Sequence, residues 1–434
     1  MLKPPTGESQ AMSQERIAPT EDETHTPRWV PLLVLFTIAG LAETVFYSQM
    51  LAFTPLYLPK LGITEESQIL LVVGWMTAVS NGIGLPLLPL WGALADRYSR
   101  KPIVIRSFVV VVLAAFLASI SPGITLFFIA RSITGFALGN SGLMMTTLSE
   151  RVPEQRIGFA FSVMNSAAPI GSFIGPLVGG WFVDSLGFRN LMLVNLAVVA
   201  CVVVALIFGY RDPYHGTERK PLLEMAWDSV RIVGRSKRLR TLFPALLLLF
   251  GGWMLAFTYI PLVITEIYHG ADPGTAVGLV IGASGLTTLI LAPVLGALAD
   301  RLGNWRVLFA GATLALILWP LPALTRDLIS FAILWSVLNG VISAVFALSF
   351  SVLSSSASER VRGRVMAFAY MPVNFGFMVG PAIGTWITQR SLFGIFPAAA
   401  VLTGLGLLML VLAHRFPVED YPGPAAISPA SDQA

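Results

Sequence analysis

The sequence predicts an all-α polytopic membrane protein, with twelve transmembrane helices in two six-helix bundles related by a pseudo-twofold axis. Three observations predict this. Of 434 residues, 55% are hydrophobic and 12% charged, against roughly 25% charged in an ordinary soluble domain. Twelve apolar runs follow one another, each near the ~20 residues that a helix needs to cross the hydrocarbon of a bilayer. Finally, Gly-Ala-Leu-Ala-Asp-Arg occurs at Gly92 to Arg97 and again at Gly296 to Arg301, 204 positions apart, each time after a long apolar segment. A unit of about six spans copied and joined to itself is an architecture shared by many transporters.

The elements follow in order. Residues 1–28 are polar, acidic and proline-containing, with no apolar core followed by a small-residue cleavage site, and read as a disordered cytoplasmic tail without a cleaved signal. A first bundle, 29–210, holds expected spans at 30–56, 69–91, 102–120, 124–148, 157–182 and 191–210. The connection 211–241 places Leu223, Ala226, Trp227, Val230 and Val233 at helical spacing opposite Glu224, Asp228, Arg231 and Arg235, which predicts an amphipathic helix on the cytoplasmic surface. A second bundle, 242–414, holds spans at 242–267, 275–298, 307–324, 328–353, 365–388 and 393–413, and 415–434 reads as a second disordered tail.

Lysine and arginine set the expected orientation. With both termini cytoplasmic, 23 of the 28 basic residues fall in inside segments, Arg106 among them, and Lys60, Arg189, Arg326 and Arg390 fall outside. These clusters lie between apolar runs and form no continuous stripe, which argues against nucleic acid as a partner. Membrane lipid and a small molecule are the expected partners. No Asn-X-Ser/Thr sequon occurs, which favours a bacterial inner membrane. The single cysteine, Cys201, sits in an apolar run, so neither a disulfide framework nor a thiolate metal site is expected. His25, His215, His269 and His414 all lie in tails, loops or span ends, so the sequence offers no enzyme-like nucleophile, base or metal cluster. No cofactor is expected.

Charge inside the membrane is the sharpest chemical signal. Glu43 in the first span and Arg131 in the fourth are the two ionisable groups placed well inside, and each should cost a few kcal/mol unless paired or wetted. At about 1.5 Å per residue they come to similar depth, so they are expected to share one cavity, with neighbouring charge and burial acting in opposite senses on the proton affinity of Glu43. A structural ion pair without transport duty is the alternative. Phe46, Tyr47 and Met50 share the helical face of Glu43 and could hold a lipophilic or cationic compound. Ala167, Gly171, Gly175 and Gly179 form a small-residue ridge on the fifth span, matched by Gly376, Gly380 and Gly384 on the eleventh, with Pro176 and Pro381 permitting bends. These are expected pivots, with plain packing as the alternative.

The duplicated loop carries a family resemblance. Gly92-Ala-Leu-Ala-Asp96-Arg97-Tyr-Ser-Arg100-Lys101 resembles the signature of the major facilitator superfamily between its second and third helices, and Gly296-Ala-Leu-Ala-Asp300-Arg301-Leu-Gly303 resembles its partner between helices eight and nine. Arg131-Ser-Ile-Thr-Gly135 resembles a second family motif, and Gly171-Ser-Phe-Ile-Gly175-Pro176-Leu-Val-Gly179-Gly180 resembles that of the exporting, proton-antiport branches. Together with Pro55-Leu-Tyr-Leu-Pro59 the pattern is similar to twelve-helix drug:proton antiporters, over 29–414. The resemblance implies alternating-access export by a monomer, a proton as coupling ion, and a latch in which the Asp96 cluster grips the opposite half. It also places helices one, four, seven and ten at the centre, which nominates Asn140, Met144, Trp253, Tyr259, Trp335 and Asn339, with Asn165, Tyr370 and Asn374 from neighbouring helices. Ser99 stands where the motif usually has glycine, and Asn304 and Trp305 replace a basic pair. A metabolite or siderophore-type transporter, and a transporter-like receptor or scaffold, remain open alternatives.

Overall fold

The computed structural model describes residues 29–87, 94, 99–137, 139–212, 231, 233–358, 365–366 and 368–418. Both tails, most of the 211–241 connection and the loop bearing Gly92, Asp96 and Arg97 lie outside the described residues, so the expected surface helix and the first-copy latch do too.

Among the described residues there are fourteen α-helices. The first half contains α1 (Trp29–Tyr57), α2 (Glu66–Gly84), α3 (Arg100–Ile120), α4 (Ile124–Ile133), α5 (Asn140–Ser149), α6 (Ile157–Leu186) and α7 (Phe188–Gly209). The second contains α8 (Lys237–Phe257), α9 (Ile260–Ile267), α10 (Pro273–Leu302), α11 (Asn304–Leu318), α12 (Leu328–Ser355), α13 (Tyr370–Thr388) and α14 (Ile395–Arg415). The pairs α4/α5 and α8/α9 are each one span interrupted by a turn, which leaves twelve spans. Ten helical stretches are long and apolar enough to cross a membrane on their own. The fourth span misses that criterion because it is split, and α13 because glycine, proline and asparagine dilute its apolar residues. Large apolar side chains such as Phe208, Ile329 and Val401 are exposed on the outer faces, as a hydrocarbon surround requires.

The side carrying Trp29 and Arg415 is termed terminal, and the opposite side distal. The halves meet along two seams, α6 against α10 and α2 against α13. In span numbers these are five with eight and two with eleven, so exchanging the halves exchanges the seams. That is the expected pseudo-twofold relation.

The seams are tight on the distal side. A Cβ on Gly278 would lie 2.3 Å from the Pro176 carbonyl, and one on Gly180 2.3 Å from that of Gly274, so glycine permits backbone contact here. On the other seam a Cβ on Gly74 would meet Tyr259 Oη at 2.1 Å. Gln389 also donates to the Ser67 carbonyl across it (2.9 Å). Gly158 and Gly296 are each 18 residues, about five turns, from the Pro176–Gly278 contact and on the same helical faces, yet an added Cβ at either meets nothing within 4 Å. The two helices therefore touch distally and part toward the terminal side.

The glycine ridges are placed differently from the expectation. Gly171, Gly175 and Gly179 pack on Thr44, Ser48 and Gln49 of α1, within their own half. Gly376 and Gly380 pack on Gly251 of α8, and Gly384 on Tyr259, within the other. The ridges hold each bundle together, and different small residues form the seams: Gly180, Gly274, Gly278, Gly282 and Gly285 on one, Gly74 and Gly82 on the other. The reason is helical phase, since Gly179 and Gly180 are adjacent and point about 100° apart.

Candidate functional site

The fourth span breaks near its middle. After α4 the chain makes a 3₁₀ turn over Thr134–Ala137, and Gly139 adopts φ +100°, a left-handed conformation that favours glycine, before α5 begins at Asn140. Gly135 allows α2 to approach the break, because a Cβ there would lie 2.1 Å from the Ser80 carbonyl. Irregular backbone at this depth is tolerated where it is buried in protein or lines a cavity. Ser80 and Thr134 hydroxyls share a hydrogen bond (2.7 Å) that ties α2 to the turn.

Glu43, the fifteenth residue of α1, meets this break. Asn140 Nδ2 donates to Glu43 Oε2 at 2.7 Å, and Tyr47 Oη, one turn further along α1, donates to the Thr134 carbonyl at 2.9 Å. Asn140 is 3% exposed, whereas Glu43 keeps partial exposure although it lies deep in its span. The second carboxylate oxygen has no hydrogen-bond partner among the described residues, so it is available to a proton or a cation.

The direct Glu43–Arg131 ion pair, the alternative reading, is not formed among the described residues. Arg131 is 5% exposed, and its guanidinium makes no hydrogen bond or ion pair with any described residue. The break explains the difference, because it sets Asn140 rather than Arg131 beside Glu43. Tyr47 lies within electrostatic reach of both charges. Arg106, counted with the inside segments in the sequence, is the seventh residue of α3 and partly buried, so a third ionisable group enters this half.

The remaining candidates divide. Trp253 Nε1 donates to Asn339 Oδ1 (3.0 Å), and Asn339 Nδ2 donates to Thr288 Oγ1 (3.2 Å). Trp253 also packs against Phe257 and Phe377, two residues that sequence reasoning passed over because phenylalanine in a span carries no polar signal. Phe46, Met50, Met144 and Trp335 are 0–1% exposed and belong to the packed interior rather than a cavity wall, as the face of an apolar helix cannot be told from composition alone. Tyr259 is a seam residue, buried, with its hydroxyl donating to the Pro381 carbonyl at 3.2 Å. Tyr370 is 54% exposed and packs its ring at a tilt against Phe350, Asn374 donates back to its carbonyl, and Asn165 is exposed. A polar network missed in the sequence links Asn195 to Gln49 (2.7 Å) and Gln49 to the Gly175 carbonyl (2.9 Å), bracing α7, α1 and α6.

The duplicated motif is also resolved in part. Arg100 is bidentate to Glu150 (2.7 Å for each bond), its backbone N–H donates to Asp212 (2.9 Å), and Lys101 donates to the Ile207 carbonyl (2.7 Å). These contacts tie α3 to α5 and α7 inside one half. Ser99 is extended and donates to Asp212, whereas its counterpart Gly303 has φ +95°, so the two copies turn differently. Gly296, Asp300 and Arg301 form the terminal-side end of α10, and Asp300 and Arg301 are exposed.

On the distal side Asp184, near the end of α6, reaches across the seam to the start of α10. Its carboxylate accepts from the N–H of Gly274 (2.9 Å), the N–H of Thr275 (2.6 Å) and the Thr275 hydroxyl (2.7 Å). Asp272, the residue preceding α10, makes no side-chain cap of its own. One half therefore caps a helix of the other.

Twelve spans, seams that exchange under a twofold and a broken central helix define the fold, and comparison with known proteins agrees. The family model described as Major Facilitator Superfamily matches residues 32–275 and 269–433. The chain belongs to the major facilitator superfamily. It is 23% identical over 396 residues to the multidrug resistance protein MdtG of Escherichia coli K12, covering 91% of this chain and 96% of that one. Among solved structures it is similar to the nucleoside transporter NupG (D323A mutant; TM-score 0.72, 16% identity, 88% of this chain and 99% of that one). It is also similar to a D-xylose-proton symporter (TM-score 0.68, 16% identity, 89% and 97%) and to a bacterial homologue of the lysosomal transporter Spinster in an inward-facing, unoccupied conformation (TM-score 0.68, 13% identity, 90% and 96%). The protein is a multi-span membrane transporter of this superfamily.

Proposed function

We propose that the protein exports small lipophilic or cationic compounds by alternating access, in exchange for protons, from an inner membrane in which both termini are cytoplasmic. The observation that carries this reading is Glu43: a carboxylate held on one oxygen by Asn140, open on the other, beside the break of the fourth span, in a molecule that is shut distally and parted on the terminal side. Such a carboxylate exchanges a proton for a cargo cation. Trp253, Phe257 and Phe377 in the opposite half offer ring faces to the apolar part of the cargo. The distribution of lysine and arginine supports a cytoplasmic terminal side, and on that reading the described state loads from the cytoplasm. The relationship to MdtG supports drug-like cargo, and the protein acts as a monomer in this scheme.

The test is purified protein in liposomes with pH controlled on both sides. A proton gradient should drive accumulation of a fluorescent lipophilic cation, and Glu43→Gln should abolish the gradient dependence while leaving the protein folded. Full gradient-driven transport by Glu43→Gln would end the assignment. A second reading, exchange of an anionic or zwitterionic metabolite, is favoured by the guanidinium of Arg131, which has no partner among the described residues, and transport of carboxylate-bearing compounds lost in Arg131→Gln would select it.

A further inference from the structure

The α2–α13 seam carries a groove on the bilayer-facing surface of the protein. It encloses about 730 Å³ between Trp75, Val79 and Gly82 on α2 and Met378, Ala382 and Trp386 on α13, and its wall is almost wholly apolar. Met378 closes the floor against Gly82, where an added Cβ would lie 2.9 Å from the sulfur. Trp386, 76% exposed, stands at the distal mouth.

The dimensions select an occupant. Trp75 to Ile83 and Met378 to Trp386 are each eight steps along a helix, about 12 Å, close to one leaflet's share of a hydrocarbon core of about 30 Å. On α13 the groove begins at Trp386, two residues from the distal helix end, and on α2 it runs from Trp75 at the helix middle to Ile83, one residue before Gly84, so the mouth beside Trp386 admits a chain that descends from the distal side. Arg390 stands four residues beyond Trp386, in the turn that follows α13 on the distal side, exposed and with its guanidinium making no hydrogen bond or ion pair with any described residue. A cation above an apolar slot fits an anionic amphiphile.

We infer that the groove holds one acyl chain of an anionic phospholipid whose phosphate sits at Arg390. Because α2 and α13 belong to different halves, that chain bridges the halves and favours the distally closed state. The site is separate from the Glu43 pocket and does not rest on the choice of cargo.

Tryptophan quenching by brominated lipids tests it. Protein is placed in phosphatidylcholine nanodiscs containing a minor fraction of lipid brominated at mid-chain, either phosphatidylglycerol or phosphatidylcholine, and the signal of Trp386 is isolated by difference from Trp386→Phe. Brominated phosphatidylglycerol should quench with about fivefold greater apparent affinity, matching the ~1 kcal/mol that one basic residue contributes at an anionic surface. Arg390→Gln should erase that preference, and Ala382→Phe, which fills the slot, should reduce quenching by both lipids. Equal quenching by the two lipids, unchanged in Arg390→Gln, would show ordinary boundary lipid and overturn the proposal. Selective protection of Trp386 by the transported cation rather than by lipid would overturn it too, by making the groove a cargo portal.

Discussion

Asp184 offers the most direct handle on the conformational equilibrium. Its carboxylate satisfies two backbone N–H groups and one hydroxyl at the start of α10, and these bonds cross the seam, so they exist only while the distal side is closed. When the seam opens, water replaces the carboxylate at the helix end, and the net loss is that of a helix cap, about 0.5–2 kcal/mol, with up to about 1 kcal/mol more from the helix dipole. Removing the side chain should therefore raise the distally open population roughly 2- to 150-fold. A rare state is best read through a rate. Leu177 faces Gly282 in the seam, so Leu177→Cys in a Cys201→Ser background is shielded when the seam is shut. Alkylation by an impermeant maleimide should accelerate by that factor in Asp184→Ala and by less in Asp184→Asn, whose amide oxygen still accepts one bond. An unchanged rate in Asp184→Ala would refute the idea that this contact holds the distal side closed.

Gly180→Ala and Gly278→Ala should each disfavour distal closure, because the new methyl meets a carbonyl at 2.3 Å, and the same alkylation rate should rise; Gly296→Ala, with open space around it, should leave it unchanged. Gly175→Ala should instead destabilise the first half by about 1–3 kcal/mol through overpacking against Ser48 and Val45, seen as a lower melting temperature without a rise in seam labelling. Arg100→Ala should cost about 1.5–3 kcal/mol per charged hydrogen bond lost and lower the melting temperature, with seam labelling again unaffected. Asp327 caps α12 by accepting from Ser330 N–H (2.8 Å), and this bond holds its carboxyl below the usual carboxylate range. The capping contribution is therefore present above that range and is lost as pH falls through the lowered value, which an NMR titration of the Ser330 amide would follow.

Much of the fold was legible because hydrocarbon imposes length and composition: all twelve spans were placed, and the doubled hexapeptide announced the twofold relation. The site was legible only where charge marked it. Glu43, Asn140, Trp253 and Asn339 do sit in two polar clusters, but Phe46, Met50 and Trp335 face inward, since an apolar helix buried on several sides shows no preferred face in its sequence. Asn140 as the hydrogen-bond partner of Glu43 was not legible, because a glycine pair spaced like Gly135 and Gly139 is compatible with an unbroken helix until α2 is seen against it. The seam glycines were missed for a related reason: ridge spacing shows that a helix packs closely but not against which neighbour.

The central claim is that two rigid halves rock so that the distal and terminal sides open in turn. Spin labels at Gly158→Cys and Gly296→Cys report the terminal side, and labels at Leu186→Cys and Ala271→Cys report the distal side, each pair in the Cys201→Ser background. Distance distributions from the two pairs should move in opposite directions across detergent, nanodiscs and the Asp184→Ala variant, with the terminal pair shortening whenever the distal pair lengthens. Distances that lengthen together, or a terminal pair that never shortens as the distal pair opens, would contradict the account.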